Sequence, residues 1–257
     1  MNIVVCMKQT VDTEAKIVLD SEGKVDTSGV TLVINPLDEY AIEEALQIKE
    51  RLGGEVTLVT LGGDQTTTAL RSALAMGADK AIHINDPALG EVDEGMVAAI
   101  LAKAVETLPY DLILAGVMDT DSGSGQVAVR MAERMGLPSI SGVTKLEFNE
   151  SLATAHRVID GGLAKLEVTL PAVITVVQGI NEVRYPSVAG IMKAKKKPVT
   201  ILKLSDLGIN ASDLAAQSKV TKITLPIPRQ GGKRLPGDAG EATRELARIL
   251  REEAKVL

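Results

Sequence analysis

The sequence is poor in aromatic and sulfur chemistry. Of 257 residues none is Trp, one is Phe (Phe148) and three are Tyr (Tyr40, Tyr110, Tyr185). The core must therefore be assembled from Ala, Val, Leu, Ile and Met. There is one cysteine, Cys6, and there are two histidines, His83 and His156. That inventory supplies no thiolate metal site, iron–sulfur cluster or intrachain disulfide. A Cys–His dyad would have to use Cys6, which sits in the apolar run Ile3–Met7 and reads as a buried core thiol. Any redox role must rest on a bound cofactor. A basic excess is also missing: 28 Lys+Arg face 34 Asp+Glu, a net charge of −6. This argues against a dedicated nucleic-acid or membrane-surface binder. No segment reaches the ~18 apolar residues that span a bilayer. The first strand begins at residue 2, which leaves no room for a signal peptide, so a cytoplasmic location is expected.

What is present is a repeating alternation. Asn2–Met7 is a continuous apolar run of strand length, as in a strand buried on both faces. Lys16–Leu19 and Gly23–Val25 predict a small exposed hairpin, and Val30–Ile34 a short strand. Pro36 then opens a helix whose apolar residues recur every three to four positions until Gly53-Gly54. Strands Glu55–Leu61, Lys80–Ile84 and Leu112–Gly116 alternate with helices Gln65–Met76, Gly95–Leu108 and Gln126–Met135. Such alternation predicts a doubly wound α/β fold with a mostly parallel sheet. After residue 140 the pattern changes. Val143–Phe148, Ala153–Ile159, Ala164–Thr169 and Ala172–Val177 read as an antiparallel extension. A basic helix over Val188–Lys197 and a strand Val199–Leu202 follow. The Pro/Gly-rich stretch 225–240 reads as an extended arm, and Glu241–Val256 as an amphipathic helix. The expected division is therefore an α/β domain over 1–224 and an arm with its helix over 225–257. That helix docks either on its own domain or on a partner chain.

In open parallel sheets ligands bind at the carboxyl ends of strands, near a topological switch. The loop after the first strand, Lys8–Thr13, lacks glycine, and neither a dinucleotide fingerprint nor a P-loop occurs in a strand–helix context. The loop Asp119-Thr120-Asp121-Ser122-Gly123-Ser124-Gly125-Gln126 is richer. Its glycines let backbone N–H groups approach an anion, and the helix that follows offers unpaired donors. It is a phosphate cradle, or else Asp121, Ser122 or Ser124 simply caps the helix. Thr60-Leu61-Gly62-Gly63-Asp64 is a weaker candidate, and Asn35 stands in a cap position. Lys193–Lys197 reads as a solvated face. His83 reads as a core or strand-end histidine and His156 as exposed; neither is assigned a catalytic role.

Several stretches together resemble the β subunit of electron transfer flavoproteins: Met7–Thr13, Asn35–Ala45, Ala73–Asp79, Asp160–Gly162 and, most specifically, Asn181–Pro198. The resemblance covers residues 1 to about 209. It implies a Rossmann-like, adenine-nucleotide-binding fold and a heterodimer with an α subunit that carries most of an FAD at the interface. It implies AMP in this subunit, or a second FAD in electron-bifurcating members. Electrons would come from flavin dehydrogenases such as acyl-CoA dehydrogenases, as in fatty acid oxidation, and leave to a membrane quinone reductase or another flavoenzyme. The chain would be an electron carrier rather than an enzyme, with the arm wrapped on the α subunit. Carried over by position, the nucleotide would touch Cys6, Lys8, Asn35, Asp38, Thr60, Leu61 and Gly62, and the loop Gly116, Asp119, Thr120, Asp121, Ser122, Gly123, Ser124, Gly125, Gln126 and Val127. Val188, with Tyr185, Ile191 and Met192 beside it, would meet the partner dehydrogenase. The sequence departs from the family at Val11 and Val188-Ala189, and at Ser122-Gly123-Ser124, where bifurcating members commonly carry an acid. Competing readings are an adenylating pyrophosphatase, which would need a Ser-Gly-rich loop where Lys8–Thr13 stands, and a nucleotide-binding stress or signalling module.

Overall fold

The computed structural model describes residues 1–210, 214–229 and 231–257. Two compact units emerge, Met1–Lys222 and Ile223–Leu257.

The first unit is built on β1 (Asn2–Cys6), whose β-branched run is buried on both faces. Short β2 (Gln9–Val11) and β3 (Leu32–Ile34) pair antiparallel in a separate two-stranded sheet, so part of the stretch read as a loop after β1 is a strand. The expected hairpin at 16–25 reduces to a single bridge, Leu19 to Val25. Ile17 and Val18 there are exposed, and the Asp20 carboxylate takes the Glu22 and Lys24 amides, so a turn replaces a ladder.

Helix α1 (Pro36–Leu52) starts with Pro in its first turn, and Gly53, with φ of 73°, ends it. Then follow β4 (Glu55–Leu61), α2 (Thr66–Met76), β5 (Lys80–Ile84), α3 (Glu94–Glu106), β6 (Leu112–Gly116) and α4 (Val127–Met135). Helices α1 and α2 close one face of the sheet over Ile42, Leu46, Leu70 and Leu74. Helices α3 and α4 close the other over Ile100, Leu101, Val105 and Met131. Each such aliphatic side chain contributes about 1.5–3 kcal/mol on full burial, so the aromatic-poor composition still closes both layers.

The later strands correct one expectation. β7 (Ser139–Asn149), β8 (Leu152–Ile159) and β9 (Gly162–Thr169) form the antiparallel extension. β10 (Ala172–Val176) does not belong to it. It lies between β6 and β7 and pairs parallel with both. All five of its residues are buried, and a continuous apolar run marks a central parallel strand where alternation marks a half-exposed one. Helix α5 (Val188–Ala194) is shorter than expected, and β11 (Val199–Leu202) closes the far edge. The sheet order is β11-β5-β4-β1-β6-β10-β7-β8-β9. The chain leaves β1 for β4 and β5 on one side and returns to β6 on the other, so the topological switch lies between β1 and β6.

The second unit carries α6 (Ala239–Glu252), begun by a capping box in which Asp238 takes the Glu241 amide at 2.8 Å. No residue of α6 is buried, although Leu246, Ile249 and Leu250 lie on one side. Among the described residues no helix is long and apolar enough to cross a membrane.

Candidate functional site

A cavity of about 630 Å³ opens at the carboxyl ends of β1, β4, β5 and β6, over the switch point. Its size falls within the roughly 300–1,000 Å³ of small-molecule sites.

Asp38 organises its floor. The carboxylate accepts the Lys8 amide at 2.8 Å and the Gly116 amide at 2.9 Å, tying the end of β1 to the end of β6. Both amides lie just past the last residues paired between β1 and β6, Cys6 and Ala115, and the clamp satisfies them. Gly116 is required beneath it: a Cβ there would lie 2.6 Å from Asp38 Oδ1 and 2.7 Å from the Leu37 carbonyl carbon. Burial pushes the Asp38 carboxyl up to about 7, against the pull of the two amides. Burial, reinforced by Asp38, pushes the neighbouring Cys6 thiol up to about 12, so Cys6 is an inert wall residue.

Asn35 is buried beside the clamp. Its Nδ2 donates to the Met118 carbonyl at 3.0 Å, and its Oδ1 has no partner. A buried acceptor without a donor on the cavity wall fits a ligand hydroxyl or amino group.

The loop after β6 is shaped by charge. Lys8 Nζ lies 3.1 Å from Asp119 and 2.7 Å from Asp121. Burial pulls the ammonium down, but the two carboxylates outweigh it and its net shift is upward. Burial opposes ionisation of Asp119 as well, yet the Ser122 hydroxyl and Lys8 hold it well below the usual carboxylate range. Asp119 Oδ1 takes the Ser122 amide, the Ser122 hydroxyl and the Gly123 amide at 2.6–2.9 Å. These donors are thus satisfied within the loop. The donors open to a ligand come from α4. Its cap residue Gln126 makes no side-chain cap, and Gly125, Gln126, Val127 and Ala128 line the cavity. None of Asp121, Ser122 or Ser124 caps the helix, so the first-turn N–H groups and the positive end of the helix dipole face the opening. Gly123 and Gly125, at φ of 63° and 61°, provide the left-handed turns that bring the backbone to this position.

Of the residues expected in the site, Cys6, Lys8, Asn35, Asp38, Leu61, Gly62, Gly116, Asp119, Ser122, Ser124, Gly125, Gln126 and Val127 line the cavity. Thr60 lies behind the wall, fully buried, while Thr120, Asp121 and Gly123 stand in the loop without lining it. Sequence reasoning missed the wall that runs from Asn85 to Asp93 after β5 and the α3 residues Val97 and Leu101. The rule that picked the loops after β1, β4 and β6 applies equally to the one after β5. That loop lacks the paired glycines and hydroxyls that mark the one after β6.

A second feature lies on another part of the unit. Arg184 holds the segment before α5 against α1. It contacts Glu43 at 2.7 and 2.9 Å and Glu50 at 2.6 and 3.2 Å. Gly190 lets α5 approach α2 so closely that a Cβ there would collide with the Ala75 carbonyl. The geometry leaves Tyr185, Val188, Ile191 and Met192 exposed; Tyr185 is 94% and Val188 79% accessible. Lys197 departs from the expected solvated face. Its Nζ caps the end of α2 through the Leu74 and Ala78 carbonyls at 2.9 and 2.5 Å.

A family profile described as the electron transfer flavoprotein domain matches residues 22–207. The chain is 46% identical, over the full length of both proteins, to the electron transfer flavoprotein subunit beta of Bacillus subtilis (strain 168). It is 40% identical to the subunit of the same name from Syntrophomonas wolfei, over 100% of this chain and 98% of that one. It is 35% identical to the Caffeyl-CoA reductase-Etf complex subunit CarD of Acetobacterium woodii, over 92% of each. A nucleotide-sized cavity at the switch point of a doubly wound sheet, and relatedness along the whole chain, lead to one statement: this chain belongs to the electron transfer flavoprotein family, on the side of its β subunits.

Proposed function

We propose that the chain forms a heterodimer with an electron transfer flavoprotein α subunit and holds an adenine nucleotide, AMP, in the cavity at the β1–β6 switch. The observation that carries this reading is the uncapped N-terminus of α4 opening on that cavity beside two left-handed glycines. The α4 amides and Ser124 suit a phosphate, and the unpartnered Asn35 Oδ1 suits a hydroxyl or amino group of the nucleoside. The inert Cys6 thiol suits a wall residue rather than a redox group. An FAD held mainly by the α subunit would supply the electron uptake and release. This chain's part is to complete the flavin-bearing complex and to present a docking face to the electron donor. The exposed Tyr185, Val188, Ile191 and Met192 suit that face. The donor is a flavin dehydrogenase of the acyl-CoA type and the acceptor a quinone reductase. The arm and α6, with no buried residue among those described, suit docking on the α subunit.

Co-purification with the α subunit, followed by denaturation and chromatography of the released cofactors, tests the reading. One FAD and one AMP per pair is the expected result. Two FAD and no AMP would replace AMP by a second flavin in this cavity, and no nucleotide at all would overturn the site. Gly125→Val should cut the bound nucleotide several-fold at unchanged FAD content. It adds strain at a φ of 61° and places a Cβ 3.3 Å from the Val117 carbonyl. Val188→Ala truncates the most exposed large apolar side chain of α5, so it should slow reduction by limiting dehydrogenase about threefold to tenfold with cofactors intact.

A further inference from the structure

We infer that His83 is a positioning residue that aims a backbone donor at the base of the nucleotide, and that this donor makes the cavity select adenine over hypoxanthine. The inference rests on the nucleotide reading of the cavity.

His83 is 1% exposed and lies on β5, opposite Thr60 of β4 in the parallel register. Its neighbours Ile82 and Ile84 face α3 and α4, so by strand alternation His83 faces the α1–α2 layer, behind the cavity wall. From there its Nε2 lies 2.9 Å from the Gly62 carbonyl oxygen. A carbonyl only accepts, so Nε2 carries the hydrogen. His83 Nδ1 is then a bare acceptor, and it has no partner; neither has Thr60 Oγ1, the hydroxyl at the matching position of the adjacent strand. The Gly62 carbonyl alone therefore fixes the tautomer, and these two unbonded atoms lie at paired positions of adjacent strands.

The consequence for the cavity follows from peptide geometry. In a trans peptide the C=O and the following N–H point in opposite directions. With the Gly62 carbonyl drawn back to His83, the Gly63 N–H is turned away from the core, and Gly63 lines the cavity. Among the described residues this N–H has no partner. The rest of the loop is fixed: the Gly62 amide donates to the Ile84 carbonyl at 3.0 Å, and Asn85 Nδ2 donates to Asp64 Oδ1 at 2.6 Å. That second bond leaves Asn85 Oδ1 as an acceptor on the same wall. The β4 and β5 loops lie at the apolar end of the cavity, near Leu89, Val92 and Leu101, across β1 from the α4 amides. A base belongs at that end if the phosphate sits at α4. A donor beside an acceptor matches adenine, whose N1 accepts and whose 6-amino group donates. Hypoxanthine reverses both, with N1–H a donor and O6 an acceptor.

Titration calorimetry of the full-length, nucleotide-stripped chain with AMP and with IMP tests this. The unsubstituted chain should prefer AMP. His83→Leu, which frees the Gly62 carbonyl, should weaken AMP about tenfold and IMP little, so that the preference collapses. His83→Gln, which restores an amide donor, should recover most of it. Gly63→Pro deletes the donor itself from a surface loop without disturbing the core. It should reproduce the His83→Leu loss, and it decides the matter if His83→Leu does not fold. An unchanged AMP-to-IMP ratio in the folded variants overturns the role of His83 and leaves the nucleotide site standing. Failure of the unsubstituted chain to bind AMP overturns both.

Discussion

Arg184→Met should lower the melting temperature of the chain by about 5–10 °C, through a loss of about 2–3 kcal/mol. Glu43 is the reason. Its side chain is 3% exposed, and Arg184 meets it with Nε and Nη2 in a bidentate pair at 2.7 and 2.9 Å. Gln47 at 2.8 Å and the Arg184 amide at 3.3 Å are its remaining donors. Deleting the guanidinium leaves a buried carboxylate half satisfied, which is costlier than never having built the pair. Arg184 is itself about one-third exposed, so solvent relieves part of the loss and the figure sits at the low end for buried pairs. Lys at 184 should not rescue, because a point charge cannot span both Glu43 oxygens and reach Glu50. Glu43→Gln in the Arg184→Met background should recover stability by removing the stranded charge. Thermal unfolding of the parent, Arg184→Met, Glu43→Gln and the double variant checks the cycle, and equal melting temperatures for Arg184→Met and the parent would refute it. The same substitution should weaken the donor docking proposed for this face, since Arg184 holds the segment that carries Tyr185 and leads into Val188.

The outer plan of this fold is written in the periodicity. Apolar runs with glycine stops mark β1, α1, β4, α2, β5 and β6 to within a residue or two, because each is buried on a regular face. Position within the sheet is less legible. The stretch Ala172–Val177 reads with its antiparallel neighbours because short links join them, and only the structure shows all five residues of β10 buried between β6 and β7. β2 escaped because three residues with one buried side chain carry no period. In the site, the loop at 119–126 announces itself through Gly123, Gly125 and their hydroxyl neighbours. Its inner wiring does not: which of two aspartates takes the loop amides depends on tertiary placement of Lys8, 111 and 113 residues away in sequence. The Asp38 clamp shows the same limit. Asp38 reads as an ordinary first-turn acid of α1, suited to the helix dipole. Only the approach of β1 and β6 turns it into the acceptor for Lys8 and Gly116.

That clamp leads to a pH dependence of stability with a definite sign. The folded Asp38 carboxyl sits at about 7, raised chiefly by burial, whereas in the unfolded chain it falls near 3.9. The folded state therefore binds the proton more tightly. Its contribution to stability is full below about pH 4 and shrinks as pH rises to about 7, by up to about 1.4 kcal/mol per unit. Above pH 7 both states are ionised and the contribution is flat. The nearby Asp119 charge pushes in the same direction, because a second anion disfavours ionisation of the first. Asp38→Asn removes the titration and fills the same volume. Its carboxamide accepts one of the two amides and sets an NH2 against the other, a loss of about 1–3 kcal/mol that does not itself titrate. Urea unfolding of both proteins between pH 4 and 8 should then show the parent ahead at pH 4, with its lead over Asp38→Asn shrinking as pH rises and reversed by about pH 7. The total change in that lead should be on the order of 4 kcal/mol. A lead that stays constant across the range would mean that the Lys8 and Gly116 amides compensate the buried charge fully. Asp38 would then hold the β1–β6 crevice open at no electrostatic cost.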